Sequence, residues 1–269
     1  GKCSLTAAIP VLSVMGIQAC PMPTAVLTSQ TGFKSFYCND CTDKLDYYTS
    51  EWKKLGFQPD GIYTGFLSSE KQVDKILDFI NSFETENTLV LVDPVMGDGG
   101  RTYSLFTDAL ACKMKKLVTV ADVITPNLTE CCILCDVDYC EFIKNADKPD
   151  FMDKIAELGK NLLNRYGVKI VIITGIEHKD IDGTMYVQNL IASKDEVFSV
   201  SCKKIGGSYS GTGDLFASVM FSGLLRGDTL RDTVSLAVKF IETSLRDTVA
   251  LGIDRNEGIE FEKHLKILL

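Results

Sequence analysis

Thr88-Leu-Val-Leu-Val-Asp93 is an apolar run without a polar interruption, closed by an acid. A strand with one wet face alternates apolar and polar residues, because successive side chains point to opposite faces. An unbroken run reads instead as a strand buried on both faces, the setting of a parallel sheet covered by helices. Residues 121–125 and 169–174 read the same way, the latter rich in Val and Ile. Between such runs lies helical spacing: Val73, Ile76, Leu77 and Ile80 fall at i, i+3, i+4 and i+7. Helices are also predicted over 5–15, 45–55 and 155–166, and from Asn127 onward. Residues 25–28 read as a strand end entering a polar loop through Cys41, and 61–63 as a short strand. Residues 183–189 and 196–201 read as a hairpin, and 214–225 and 230–245 as long helices. No linker, charge block or repeat interrupts the pattern. The alternation predicts an α/β chain with a single domain over 1–269, a central, mainly parallel sheet and helices on both faces. Ligands in such folds bind beyond the carboxyl ends of the strands. Asp93, Thr125, Asn127 and Thr174 stand at those ends.

Composition excludes several classes. The 269 residues carry 28 Lys plus Arg against 36 Asp plus Glu, a formal charge of −8. A nucleic-acid binder needs a basic face, so no nucleic-acid partner is expected. No apolar run approaches the ~20 residues of a bilayer span, so no membrane partner is expected, and no signal peptide is evident. The two Cys-x-x-Cys pairs, Cys38/Cys41 and Cys132/Cys135, could serve zinc. They stand far apart with no His nearby, and free thiols in a reducing cytosol are the expected state. His178 and His264 sit among charged residues and are read as solvated. A hydrolase built on His with Ser or Cys is therefore not expected.

Gly211-Thr212-Gly213-Asp214 opens a predicted helix. Glycines let backbone N–H groups turn toward an anion, and the helix dipole favours negative charge there. An acidic stabiliser of the helix start is the plain alternative for Asp214. A Gly-x-Gly-x-x-Gly pattern fails because Phe216 stands where its last Gly belongs. A P-loop fails because Gly211 is followed by Thr212-Gly213. In Asp93-Pro-Val-Met-Gly-Asp98-Gly-Gly100, paired carboxylates and a glycine-rich loop suit a Mg²⁺ ion held largely through water and substrate phosphate; a tight loop with solvated acids is the plain alternative. In Thr125-Pro126-Asn127-Leu128-Thr129-Glu130, a strand gives way to a helix, and capping alone explains Asn127 and Glu130.

Taken in order, these motifs resemble those of the ribokinase-like small-molecule kinases, and within them the pyridoxal (vitamin B6) kinases. The matching stretches are Pro23 to Gly32, Tyr63-Thr64-Gly65, Val92 to Asp98, Ile124 to Asn127 with Glu130, and Gly211 to Phe216. The resemblance implies transfer of the ATP γ-phosphoryl group to the 5′-hydroxymethyl of pyridoxal, pyridoxine or pyridoxamine. It implies a ribokinase-like fold, a cytoplasmic homodimer, Mg²⁺, and a monovalent cation such as K⁺ as a further candidate. By the same resemblance Asp214 would be the base, and the amides of Gly211, Thr212 and Gly213 would stabilise the transferring group. Asp93, Asp98 and Glu130 would hold Mg²⁺, directly or through water. Asn127 and Thr174 would line the phosphate path, and residues 203–210, with Tyr209 and Ser210, would form a flap over the nucleotide. Leu27, Gln30, Thr31 and Phe66 would surround the pyridine ring.

Many relatives carry His at the position of Gln30 and Tyr at that of Phe66, which bears on the choice of vitamer. Relatives also begin with a strand before the Gly1-Lys2-Cys3-Ser4 loop, so an upstream strand is expected in the native protein. Two alternatives stand beside the B6 reading. One is a hydroxymethylpyrimidine kinase of thiamine synthesis, whose last motif commonly has Cys where Asp214 stands. The other is a non-catalytic protein that binds B6 or nucleotide.

Overall fold

The computed structural model describes residues 1–103, 106–146 and 148–269. Along the chain run α1 (Leu5–Val14), β1 (Ala25–Leu27), β2 (Cys38–Asp40), α2 (Leu45–Lys54), β3 (Gly61–Thr64), α3 (Glu70–Phe83) and β4 (Leu89–Val92). Then follow β5 (Gly97–Asp98), β6 (Arg101–Thr102), α4 (Asp108–Val118), β7 (Val123–Ile124), α5 (Leu128–Cys135), α6 (Tyr139–Ile143) and α7 (Phe151–Tyr166). The rest are β8 (Ile170–Lys179), β9 (Met185–Ser193), β10 (Val197–Lys203), α8 (Thr212–Arg226) and α9 (Leu230–Ala250), with a 3₁₀ turn at Arg255–Glu257. Two compact units result: Gly1–Asp43 with Lys204–Leu269, and Lys44–Lys203.

The second unit holds the sheet, in the order β10-β9-β8-β7-β4-β3. Strands β3, β4, β7 and β8 run parallel, and β9 and β10 add antiparallel to the β8 edge. The apolar runs behave as their composition demands: Val90, Leu91, Val92, Val123, Ile124, Val171, Ile172 and Ile173 are fully buried. Strand β10 alternates exposed and half-buried residues, as an edge strand with one wet face does. Helix α7 buries Phe151, Ile155, Leu158, Leu162 and Tyr166, one stripe at helical spacing. It packs on β8 and β9, where Gly159 lets the helix backbone approach the Ala192 methyl. Each fully buried Leu or Ile there stabilises by roughly 1.5–3 kcal/mol.

The first unit is built by α1, α8 and α9, which pack together, and by the β1–β2 ribbon. The polar loop expected through Cys41 is in part a strand: Leu27 pairs with Cys38, and Val26 with Asn39. Cys-Asn-Asp has weak strand propensity, and the partner strand imposes the conformation. Strand β8 also runs past Thr174, where the predicted strand stops. Gly175, at φ +69, carries an irregularity between Ile173 and Ile176 that the strand survives. The mostly parallel sheet with accompanying helices is the α/β class that the alternation predicts.

Candidate active site

In the first unit the glycine loop leads into α8. Gly211 is the residue that caps it, at φ +86, a left-handed conformation that glycine adopts without strain. A Cβ there would overlap the Lys2 carbonyl, so glycine is required twice over. The Thr212 hydroxyl donates to the Tyr209 carbonyl (3.1 Å) and the Ser210 amide to the Arg255 carbonyl (3.0 Å), which fixes the loop. The first N–H groups of a helix have no intrahelical acceptor, and here Gly213 is exposed. The result is a backbone cradle suited to a phosphate.

Asp214 sits in the first turn of α8, yet no side chain caps that helix end. Its carboxylate accepts instead from the backbone N–H of Ser4. Desolvation pushes the Asp214 carboxyl above the usual range, and the Ser4 hydrogen bond opposes the shift. Ser4 stands at φ 51, ψ −137, a strained position for a residue with a Cβ. Its carbonyl receives the amides of Ala7 and Ala8 (3.0 and 2.9 Å), so one residue both starts α1 and touches the carboxylate. Burial and the Asp214 charge together push the Cys3 thiol up.

Leu27, Gln30 and Thr31 belong to this unit and are half-buried. The Gln30 side chain is engaged at both ends. Its Oε1 accepts from the Gly32 amide (2.7 Å), and its Nε2 donates to the Asn256 carbonyl (3.4 Å).

The second unit gathers another cluster at the carboxyl ends of β4 and β7. Asn127 caps α5 in a capping box: its Oδ1 accepts from the Glu130 amide, and Glu130 Oε2 accepts from the Asn127 amide (2.8 Å). The other Glu130 oxygen accepts from the Met96 amide (3.0 Å). Asn127 Nδ2 reaches the Gly97 carbonyl (2.7 Å), so the loop after β4 is tied to the start of α5. Asp93 is buried and accepts from the Thr125 hydroxyl (3.1 Å). Burial first, and the Asp93 charge second, push the Glu130 carboxyl well above the usual range, against three backbone N–H donors. Thr174 meets Asn127 in an isolated parallel bridge and donates its amide to the Pro126 carbonyl (2.9 Å).

Asp93, Asn127, Glu130 and Thr174 are thus brought together. Asp98 is exposed on the β5–β6 hairpin, its Oδ1 accepting from the Gly99 amide (2.8 Å). Among the described residues, no three His, Cys, Asp or Glu side chains converge as a ligand set. Phe66, also in this unit, lines a small apolar pocket with Val95, Tyr103, Phe106 and Leu110.

The ten cysteines are free. Burial pushes the thiols of Cys132 and Cys135 up to about 12 and about 11, which makes them unreactive packing groups. The histidines differ from expectation. His178 stacks on Tyr186, and His264 pairs with Asp247 at 3.0 Å with only 15% of its side chain exposed. Neither is simply solvated; Lys263, beside His264 in sequence, reaches the same Asp247 oxygen at 3.7 Å.

The sequence profile of the phosphomethylpyrimidine kinase family matches residues 5–258. The chain belongs to that family. Its fold is ribokinase-like, and the family's chemistry is phosphoryl transfer. A crystal structure with pyridoxal, of a Bacteroides thetaiotaomicron protein assigned as a phosphomethylpyrimidine kinase, matches with a TM-score of 0.91. The two are 38% identical, over 100% of this chain and 91% of that one. A Schizosaccharomyces pombe protein assigned as a pyridoxal kinase is 29% identical over 75% of this chain and 57% of its own length. A hydroxymethylpyrimidine/phosphomethylpyrimidine kinase of Staphylococcus aureus is 27% identical over 73% of this chain and 66% of its own. The chain thus spans less than two thirds of the length of these two curated relatives. Among the described residues, no helix is long and apolar enough to cross a membrane.

Of the motif residues, Asp93, Asn127, Glu130 and Thr174 meet in one cluster, and Gly211 to Asp214 form the other at the start of α8. Sequence reading missed the turn around Asn256, and it missed Thr129, whose hydroxyl accepts the Gly100 amide (2.9 Å). Asp254 and Gly258 do bracket a turn signal, but no periodicity ties it to a loop more than two hundred residues earlier.

Proposed function

We propose that this chain transfers the γ-phosphoryl group of ATP to the 5′-hydroxymethyl group of pyridoxal, pyridoxine or pyridoxamine. The observation that carries the reading is the carboxylate of Asp214, set in the first turn of α8 behind the Gly211 cradle and held by the Ser4 amide. Phosphoryl transfer asks mainly for positioning and charge stabilisation. Asp214 takes the hydroxyl proton as the alcohol oxygen bonds to the γ-phosphorus and the bond to the ADP oxygen breaks. The products are a phosphate monoester, ADP and a proton that Asp214 returns to solvent. The amides of Gly211, Thr212 and Gly213 donate to the oxygens of the transferring group. Leu27, Gln30, Thr31 and Phe66 surround the ring, Asn127 and Thr174 line the phosphate path, and Tyr209 and Ser210 cover the nucleotide.

The buried, mutually repelling carboxylates of Asp93 and Glu130 fit a hard cation. They would hold Mg²⁺ through water, with Asp98 contributing from its hairpin. When bound, the ion neutralises charge on the β- and γ-phosphates. A cytoplasmic homodimer belongs to this reading; ten free thiols suit a reducing compartment.

A second reading, phosphorylation of hydroxymethylpyrimidine, is favoured by the description of the matching family and by the Staphylococcus relative. ATP-dependent phosphorylation assayed side by side on the three vitamers and hydroxymethylpyrimidine separates them. Turnover on a vitamer at the higher kcat/KM supports the B6 reading. Turnover confined to hydroxymethylpyrimidine removes it, and binding of a vitamer without turnover on any of the four removes both.

A further inference from the structure

The 3₁₀ turn Arg255–Glu257 touches three loops of the first unit. Asn256 Nδ2 donates to the Gly32 carbonyl (3.4 Å), and the Asn256 carbonyl accepts from Gln30 Nε2 (3.4 Å). A Cβ on Gly32 would lie 2.6 Å from Asn256 Oδ1 and 2.7 Å from Gln30 Nε2, so Gly32, Gln30 and Asn256 fill one small space. The neighbouring Arg255 carbonyl receives the Ser210 amide (3.0 Å) of the glycine loop. At the end of the turn, Gly258 takes φ +84, and a Cβ there would crowd Lys2 and the Ser210 carbonyl. The turn is itself built to be stiff: the Asp254 carboxylate accepts from the Asn256 amide (2.8 Å).

We infer that Asn256 is a positioning residue for the alcohol substrate, holding the loop of Gln30 and Gly32 in its binding conformation. This rests on the proposed role of Gln30 and Thr31 at the ring. Both ends of the Gln30 amide are engaged by the protein, which fixes the side chain's rotamer. Glutamine otherwise loses rotamer freedom on being ordered. A loop held before substrate arrives spares the ligand that ordering cost. The Asn256 side chain is half-buried and carries no part of the core, so it can be changed without a cavity.

The test is a set of calorimetric titrations with pyridoxal, hydroxymethylpyrimidine and ATP on the parent, Asn256→Ala, Asn256→Asp, Gln30→Ala and the double variant Gln30→Ala/Asn256→Ala. Asn256→Asp keeps the size and Oδ1 but drops the donor to Gly32. Both Asn256 variants should weaken the alcohol roughly three- to tenfold, the range of one hydrogen bond. ATP affinity, kcat at saturating alcohol and the melting temperature should stay close to the parent's. The double variant should bind no more weakly than Gln30→Ala alone, because the residues act as one unit. Unchanged alcohol affinity in both Asn256 variants overturns the inference, as does full additivity in the double variant. So does an equal loss for alcohol and ATP with a falling melting temperature, the mark of a merely structural role. A parent that binds neither alcohol overturns this inference and the proposed function together; a parent that binds one, with no effect of Asn256, overturns this inference alone.

Discussion

Replacing Asp214 by Asn separates a catalytic carboxylate from a structural one. Asn keeps the size and an acceptor oxygen, so the Ser4 N–H retains a partner. What is lost is charge. A negative charge in the first turn of a helix stabilises by about 0.3–1 kcal/mol. A hydrogen bond to a charged group contributes about 1.5–3 kcal/mol against about 0.5–1.5 for a neutral one. Desolvation works the other way, and the raised pKa shows that it outweighs the attractions. A carboxyl whose folded pKa lies above its unfolded one contributes stability below the unfolded value, and that contribution is lost as pH rises through the folded value. At neutral pH the ionised group is therefore a net burden on the fold. Asp214→Asn should leave stability within about 1 kcal/mol of the parent, or improve it. Turnover should fall by about 10²- to 10⁴-fold, the usual size of a general-base effect. Activity in the parent should rise with pH through the raised Asp214 pKa, at a higher pH than an ordinary carboxylate gives, and that limb should vanish in the variant. The assay is ADP release at saturating vitamer over a pH series, beside thermal melts. Turnover within about threefold of the parent, with a lowered melting temperature, would refute the reasoning.

Gly211→Ala should lower both stability and rate. It forces a Cβ onto the Lys2 carbonyl at a left-handed φ, a strain of about 1–3 kcal/mol, and thermal melts with kinetics will register it; a variant with parental stability would mean that residues 1–4 do not pack there. Glu130→Gln puts an amide donor against the Met96 or Asn127 amide, at a cost of about 1–3 kcal/mol from one unsatisfied buried N–H. It should also raise the Mg²⁺ concentration needed for half-maximal rate while leaving vitamer affinity unchanged. An unaltered Mg²⁺ dependence would confine Glu130 to its capping box.

What the sequence makes legible here follows the range of each interaction. Buried parallel strands declare themselves through composition, since both faces are apolar. Helices such as α3 and α7 declare themselves through spacing. Strand β2 does not, because Cys38-Asn39-Asp40 becomes a strand only by pairing with β1. Thr174 was legible as a strand end, yet β8 continues, because Gly175 absorbs the irregularity and β9 supplies a new partner. Helix α4 buries only Leu110, Met114, Leu117 and Val118, a stripe diluted by its lysines, and it went unread.

The site shows the same division more sharply. Asp214 in its glycine loop could be singled out because local chemistry, a helix start with flexible backbone, explains the residues in sequence order. Its partner could not. Ser4 offers a backbone N–H, which any residue has, and only its φ of 51 marks it. Glu130 posed the reverse problem. Its spacing from Asn127 announces a capping box, and the structure contains one. Capping alone, however, does not require burial beside a second carboxylate. An ordinary capping box lies at the surface, where its charge is solvated. Burial first, and the Asp93 charge beside it second, push the Glu130 carboxyl upward, so the ionised pair opposes folding. That cost is what the cation of the proposed function would offset, and it arises only when strands β4 and β7 lie side by side.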